Sequence, residues 1–347
     1  MPAKPSIPTL DDVAKAAGVS TATVSRCLNS PDIVGKATKD RVLKEVARLG
    51  YTPNFGARAM VAGRTFTIGA IIPTMDNAIF ASGLQAFQEQ LRERGYTLLV
   101  SSSSYQPDIE EEQVRTLVSR GADGILLIGY DRDASIYEYL ASRNVPALVA
   151  WAFEEGNPQP SVGFDNRASM RALGQLVWEY GHRRIGVISG VTEGNDRALR
   201  RVEGLKEAFE ARGLPPENLT VIETPYDVKN GGLAFATLMA GDTPPTVVMC
   251  GNDVLAVGAV RRAHLMNIDV PADVSITGFD DIELARIVSP PLTTVHVPHR
   301  KMGRASANAL IDMVENGGQG SFAPLKSKIR LRGSLGSPKG TQEPKSG

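Results

Sequence analysis

Residues 9–29 constrain this chain more than any other stretch, because they read as two short helices joined by a tight turn. Leu10, Val13, Ala14 and Ala17 follow the i, i+3, i+4, i+7 spacing and share one helix face. Gly18 then supplies a residue free to take positive φ where that helix must stop. Val19 fills the corner and Ser20 is a suitable N-cap for the second helix. In that helix Val24 and Leu28 point inward, leaving Thr21, Ala22, Thr23, Ser25 and Arg26 outward. Small and polar outward residues let a helix lie close to base edges in the major groove, where Arg26 can offer a bidentate fork to guanine. The alternative is an ordinary helical hairpin at the start of a domain.

Charge distribution favours the first reading. The 347 residues carry 38 basic and 38 acidic side chains, a net charge of zero that hides an asymmetry. Residues 1–65 hold 10 Lys/Arg against 5 Asp/Glu, and the remainder 28 against 33. A basic head on an acidic body suits contact with phosphates at one end only. The first nine residues lack the apolar core of a signal peptide, and no apolar run approaches the roughly 18 residues of a membrane span. Cys27 and Cys250 fall in different predicted domains, so a disulfide is not expected and a cytoplasmic setting is.

A third amphipathic helix is predicted over 37–49, with Val42, Val46 and Leu49 apolar; Pro53 prevents its continuation, and 54–63 can form one more helix weakened by Gly56. From Phe66 the pattern changes to short Ile/Val/Leu-rich strands, at 67–72, 97–101, 124–128, 147–150, 185–189, 220–223, 246–250 and 274–278. Helix candidates at 81–94, 109–120, 167–180, 198–211 and 253–266 alternate with them. Continuous apolar strands alternating with helices imply doubly wound α/β architecture with parallel sheets. Two such halves, before and after about Phe164, leave a cleft between strand ends. The Gly/Ser/Pro/Lys-rich stretch from Gly333 onward reads as a disordered tail.

The run from Thr9 to Arg64 closely resembles the head of the LacI/GalR family of bacterial transcription regulators. The resemblance is carried by Asp12-Val-Ala-Lys-Ala-Ala-Gly-Val-Ser, Thr23-Val-Ser-Arg, Leu28-Asn, Gly50-Tyr-Thr-Pro-Asn and Ala57-Arg58. It continues through Thr67-Ile-Gly, Pro73, Asn77, Phe80, Val162-Gly-Phe-Asp-Asn, Gly181-His-Arg-Arg-Ile, Gly251-Asn-Asp and Ile276-Thr-Gly-Phe-Asp-Asp, covering about 9–333. It implies an all-α helix-turn-helix head over 1–50, a hinge helix and linker over 51–65, and a two-lobed core of the periplasmic-binding-protein type over 66–333. The first lobe is expected at 66–164 plus 298–322, the second at 165–295 plus 323–333, and a disordered tail at 334–347. The resemblance further implies a homodimer on double-stranded operator DNA, controlled by a small-molecule effector and more commonly a repressor. No cofactor or metal is implied.

By position the resemblance points to Thr21, Ala22 and Arg26 as base-reading residues, with Ser20, Thr23 and Ser25 nearer the DNA backbone. Asn29, Thr38, Tyr51 and Asn54 fall on the phosphate side, and Arg58 fits the minor groove. The chain departs from the family at Met60, where a minor-groove wedge is usually leucine; methionine can serve, being apolar and unbranched. In the cleft, Asp280 matches a carboxylate that accepts from ligand hydroxyls, Asn252 a polar ligand contact, and Tyr226 an aromatic platform, with Asn77 and Phe80 after the first strand. Helix N-capping is the alternative role for the Asp and Asn. Two positions depart from sugar-responsive members. The offset back from Gly204 where they carry an arginine is read as Leu199, flanked by Arg197, Arg200 and Arg201, and a usual aspartate is replaced by Trp151. These changes suggest an organic or sugar acid held by Arg197 or Arg201 and packed on Trp151.

Catalysis is not expected, because no nucleophile elbow, P-loop, dinucleotide fingerprint or zinc spacing is found. Of the four histidines, His296 and His299 could suggest a metal, but Pro298 and the lack of a clustered third ligand argue against it. A solute-binding protein, cytoplasmic or exported and without regulatory DNA binding, is the remaining alternative. No leucine-heptad tail follows the core, so a dimer is the default assembly.

Overall fold

The chain divides between residues 65 and 66 into two units, and the computed structural model describes residues 8–29, 31–52, 63–76, 78–317 and 323–339. In the first unit α1 spans Leu10–Ala17 and starts in a capping box. Thr9 Oγ1 accepts from the Asp12 amide at 3.3 Å while Asp12 Oδ2 accepts from the Thr9 amide at 2.9 Å, satisfying two donors the helix would leave bare. Gly18, at φ 64°, ends it in the left-handed region, and Val19 N bonds back to Ala14 O at 3.0 Å. The next helices are α2 (Thr21–Asn29) and α3 (Lys36–Leu49), one residue longer at its start than predicted. Val13, Ala14, Ala17, Val24, Cys27 and Val42 form the buried core, with Leu28, Val46, Leu49 and Tyr51 packed around it. Cys27 is a core residue that the two-residue apolar reading of α2 missed. The predicted helix over 54–63 lies outside the described residues.

The second unit carries two six-stranded sheets. The first is built from β1 (Thr67–Ile72), β2 (Thr97–Ser102), β3 (Gly124–Ile128), β4 (Ala147–Ala150), β5 (Ser161–Gly163) and β11 (Ala323–Pro324), in the order β11-β5-β4-β3-β1-β2. The second holds β6 (Ile185–Ser189), β7 (Leu219–Glu223), β8 (Val247–Cys250), β9 (Ser275–Asp280), β10 (Thr293–His296) and β12 (Lys328–Arg330), in the order β12-β10-β9-β8-β6-β7. Among the described residues all pairs are parallel except β10 with β12. Every residue of β1, β3, β6 and β9 is buried, whereas the edge strands β2 and β7 alternate between half-buried and exposed. That is the burial a doubly wound sheet imposes when helices cover both faces.

The described helices of this unit are α4 (Ala78–Glu93), α5 (Pro107–Ser119), α6 (Ala134–Ser142), α7 (Asn166–Glu179), α8 (Asp196–Glu210), α9 (Val228–Met239), α10 (Asp253–Leu265), the short α11 (Leu284–Ile287) and α12 (His299–Asn316). The last returns the chain to the first sheet, packing on α4 and β3–β5. Its Gly303 lies so close to α4 that a Cβ there would collide with the Gly83 carbonyl.

Three expectations are corrected. Strands β5, β10, β11 and β12 were not among the sequence candidates. Residues 323 and 324 pair with β5, so the first lobe extends beyond the expected boundary at 322. The tail is not free at its start: Ser334 is fully buried, its Oγ accepting from Thr293 N at 2.8 Å and donating to Ile276 O at 2.5 Å. Gly336 accepts from His182 Nε2 at 2.8 Å and from the Ser275 hydroxyl at 3.0 Å, so residues 334–336 line the second sheet.

Candidate functional site

The first candidate surface is the outer side of α2. Ser20 caps the helix, its Oγ accepting from Thr23 N at 3.2 Å and lying 2.9 Å from the Thr23 hydroxyl. These two hydroxyls, expected near the DNA backbone, are therefore engaged with one another. Thr21, Ala22 and Arg26 are exposed, Ser25 is half-buried, and Val24 and Cys27 anchor the opposite side in the core. A guanidinium on a small-residue face can reach a base edge without steric interference from neighbours. Asn29 is the last residue of α2, Thr38 lies half-buried in the first turn of α3, and Tyr51 packs against the head core. Asn54, Arg58 and Met60 lie outside the described residues.

The second candidate site is in the second unit, where strand ends of the two sheets converge. Asp280 ends β9 with φ 104°, a left-handed backbone that costs a non-glycine residue about 1–3 kcal/mol unless function or packing imposes it. Its side chain is fully buried, and neither carboxyl oxygen has a hydrogen-bond partner among the described residues. Arg201, on α8, brings NH2 to 3.8 Å from Asp280 Oδ1. Its other nitrogens are used: Nε donates to Asn166 Oδ1 at 2.8 Å and NH1 to Gly251 O at 2.7 Å, while the guanidinium lies 3.9 Å over the Phe279 ring. Asn252 accepts from Leu255 N at 2.9 Å as the cap of α10, leaving its buried Nδ2 without a partner among the described residues. Capping and an available donor thus coexist in one side chain. An unpaired buried polar group costs about 1–3 kcal/mol, so a fully enclosed acceptor pair and donor are strong signs of a place meant to be filled.

Leu199, read as the position of the family's ligand arginine, is 41% exposed, whereas Arg201, also a candidate, is buried beside Asp280. The difference is helical rotation, since two positions along α8 turn the side chain by about 200°. Arg197 does not offer a free charge. Its NH1 donates to Ile128 O at 2.8 Å across the cleft and lies 3.1 Å from Asp196 Oδ1, and Asp196 Oδ2 accepts from Tyr130 N at 2.8 Å. Arg200 pairs with Glu154 at 2.6 Å, adding a further bridge between lobes.

Trp151 is 1% exposed and buries its ring beside Phe80, centroids 5.5 Å apart, with Nε1 donating to His299 Nδ1 at 3.2 Å. The ring is thus enclosed by Phe80 and held at Nε1 by His299. Tyr226 packs on Gly190 and faces Tyr105 with ring centroids 6.2 Å apart. Burial raises both phenols above their ordinary range, so both are neutral. These rings border a cavity of about 700 Å³ that also exposes Asp76, Asp108, Glu193 and Asp227, and no lysine or arginine lines it among the described residues. Asn77 lies outside the described residues.

Sequence reasoning assigned no cleft role to Tyr105, Asn166, Asp196 or His299, although Asn166 closes a family motif and His299 was weighed as a metal ligand. Asn166 begins a helix and His299 follows a strand, positions that signal a site only after the sheets are assembled. Behind Asp280, burial and the Asp280 charge push Asp253 well above the usual carboxyl range while it accepts from Thr294 Oγ1 at 2.6 Å. Asp281 stays below that range despite burial, held by Arg332, Arg286 and His296.

A helix-turn-helix head joined to a two-lobed α/β core defines a DNA-binding regulator with a ligand-sized cleft. Residues 9–54 match the model of bacterial regulatory proteins of the lacI family, and residues 175–335 that of a periplasmic binding protein-like domain. The HTH-type transcriptional repressor CytR of Escherichia coli (strain K12) is 33% identical over 94% of this chain and 96% of its own length. Catabolite control protein A of Priestia megaterium is 31% identical over 93% of this chain and 98% of its own. A solved LacI-family transcriptional regulator from Silicibacter pomeroyi superposes with a TM-score of 0.85, at 25% identity over 95% of this chain and 99% of that one. The chain belongs to the lacI family of bacterial regulatory proteins.

Proposed function

We propose that the chain is a homodimeric repressor whose heads read an operator through Thr21, Ala22 and Arg26, and whose cleft binds a neutral, hydroxyl-bearing small molecule. The observation carrying the effector reading is the buried, unpartnered Asp280 carboxyl beside one unengaged nitrogen of Arg201. A hydroxyl group both donates and accepts, so it can satisfy Asp280 and Arg201 at once, and Asn252 Nδ2 offers another donor. The acid expected from sequence is disfavoured on this geometry. Arg197 NH1 is bonded to Ile128 O and paired with Asp196, and an anion at Arg201 would lie beside the Asp280 carboxyl.

Arg26→Ala should weaken operator binding about 30-fold, from the roughly 1–3 kcal/mol of a bidentate base contact. Gel shifts with genomic fragments measure it, and absence of any sequence-selective binding by the parent chain would return the solute-binding alternative. A thermal-shift screen of the full chain with neutral sugars, nucleosides and sugar acids tests the cleft. Neutral compounds should raise the core transition and lose that effect in Asp280→Asn. Stabilisation by acids alone would overturn the neutral-effector reading.

A further inference from the structure

Five buried groups form a nearly closed ring joining the two lobes. The Trp151 carbonyl accepts from Asn166 Nδ2 at 3.0 Å, and Asn166 Oδ1 accepts from Arg201 Nε at 2.8 Å. Arg201 NH2 stands 3.8 Å from Asp280 Oδ1. The Asp280 carbonyl lies 3.3 Å from His299 Nε2, and His299 Nδ1 accepts from Trp151 Nε1 at 3.2 Å. No member of the ring is more than 7% exposed. An indole N–H can only donate, so Nδ1 is the acceptor and the imidazole proton sits on Nε2, pointing at the Asp280 carbonyl. The open link is Arg201 to Asp280, too long for a hydrogen bond and adjacent to the unpartnered carboxyl oxygens.

We propose that His299 is a positioning residue of the effector site, holding the Asp280 strand end against the first lobe through its bonds to the Asp280 carbonyl and to Trp151. The proposal rests on Asp280 as the ligand acceptor. A residue at φ 104° keeps that conformation only while its neighbours hold it, and two donors do so here: His299 Nε2 and, at 3.4 Å, Val297 N. His299 reaches across from the first turn of α12, a helix packed against α4 of the first lobe, where Gly83 leaves room for the Trp151 ring. Movement of α12 relative to β9 must therefore shift the backbone that aims the Asp280 carboxyl. The charged groups facing the imidazole are Asp280, His296 and Arg201, and the Trp151 ring lies against it with centroids 6.3 Å apart. Burial keeps the ring neutral below the ordinary histidine range, with Asp280 opposing and His296 and Arg201 reinforcing.

The test uses the full chain carrying Trp178→Phe, which leaves Trp151 as its single tryptophan. Its indole N–H resonance should exchange slowly with solvent and titrate with a midpoint below 6.5, because a proton arriving on Nδ1 displaces the indole donor. His299→Phe should abolish that titration and accelerate amide exchange at 150–152 and 279–283 together. His299→Gln, which keeps a donor and an acceptor, should restore protection at 279–283. Should His299→Phe fail to fold, Trp151→Phe leaves the imidazole in place and should raise its titration midpoint by freeing Nδ1. A resonance that ignores pH, a titration unchanged in His299→Phe, an unshifted midpoint in Trp151→Phe, or faster exchange confined to the α12–α4 contact would each overturn the proposal. None of these readouts contains a ligand, so failure of the neutral-effector reading registers separately in the thermal-shift screen.

Discussion

The two candidate sites solve opposite problems. The proposed reading groups Thr21, Ala22 and Arg26 lie within the first six residues of α2 and are exposed, supported from behind by Val24 and Cys27. The cleft draws Trp151, Arg201, Asn252, Asp280 and His299 from separate elements and hides them, leaving bonds unmade in the interior. An exposed group waits for its partner at little cost, since water satisfies it meanwhile. A buried one stores the cost of desolvation and releases it to whichever ligand completes the bonds. Affinity in the head should thus depend on surface charge and salt, and in the cleft on the chemical identity of the occupant.

Acid should break this contrast most sharply, because all four histidines lie in the second unit. His182 is fully buried, with Nε2 donating to Gly336 O and Nδ1 2.9 Å from the Thr246 hydroxyl; burial lowers it to about 4. The unfolded chain, titrating near 6.5, takes up the proton first. Stability from this group is therefore complete above 6.5 and drains as pH falls toward 4, by about 3 kcal/mol. Urea unfolding followed by tryptophan fluorescence, which reads the second unit alone, should show that loss, and His182→Gln should flatten it. An unchanged slope in the variant would mean other groups carry the acid sensitivity.

Within the head, Ser20→Ala should lower helix stability by about 1 kcal/mol through the lost cap. Circular dichroism on heating measures the effect. A loss of operator affinity with no change in that transition would instead place Ser20 on the phosphates. The smallest effect separates Leu199 from Arg201. Leu199→Ala should leave effector binding and core stability within about 0.5 kcal/mol of the parent, as expected of an exposed position. A large loss would return Leu199 to the ligand.

The pattern of the head was legible almost entirely because its determinants are local. Gly18, Ser20 and the i, i+3, i+4 spacing each act within a few residues, and all of them sit where the periodicity put them. The sheet-forming strands with continuous Ile, Val and Leu were legible for the same reason. What escaped is non-local. β12 is a three-residue strand whose Lys328 and Arg330 are exposed, so it has no apolar signature and exists through pairing with β10. The polar Ser334-Leu-Gly reads as tail until His182, Ser275 and Thr293 are seen to bond it. Arg201 was named beside Arg197, but counting along the chain could not tell which of the two faces Asp280, because helix rotation decides the direction. Trp151 looked like a ligand platform because its indole partner, His299, lies 148 positions away.

The burial of residues 334–336 against the second sheet also sets an order of assembly during synthesis. The head has its caps and core by residue 51, early enough to fold while most of the chain is still being translated. The second lobe has no such independence. Ile276 N donates to Ser334 O at 2.8 Å, and His182 waits for Gly336, so β9 stays short of a bond and a buried imidazole stays unsatisfied until the ribosome releases nearly the last segment described. A nascent chain halted at residue 330 should therefore carry a protease-resistant head and a cleavable second lobe. A folded head would precede a completed second lobe in the life of each molecule.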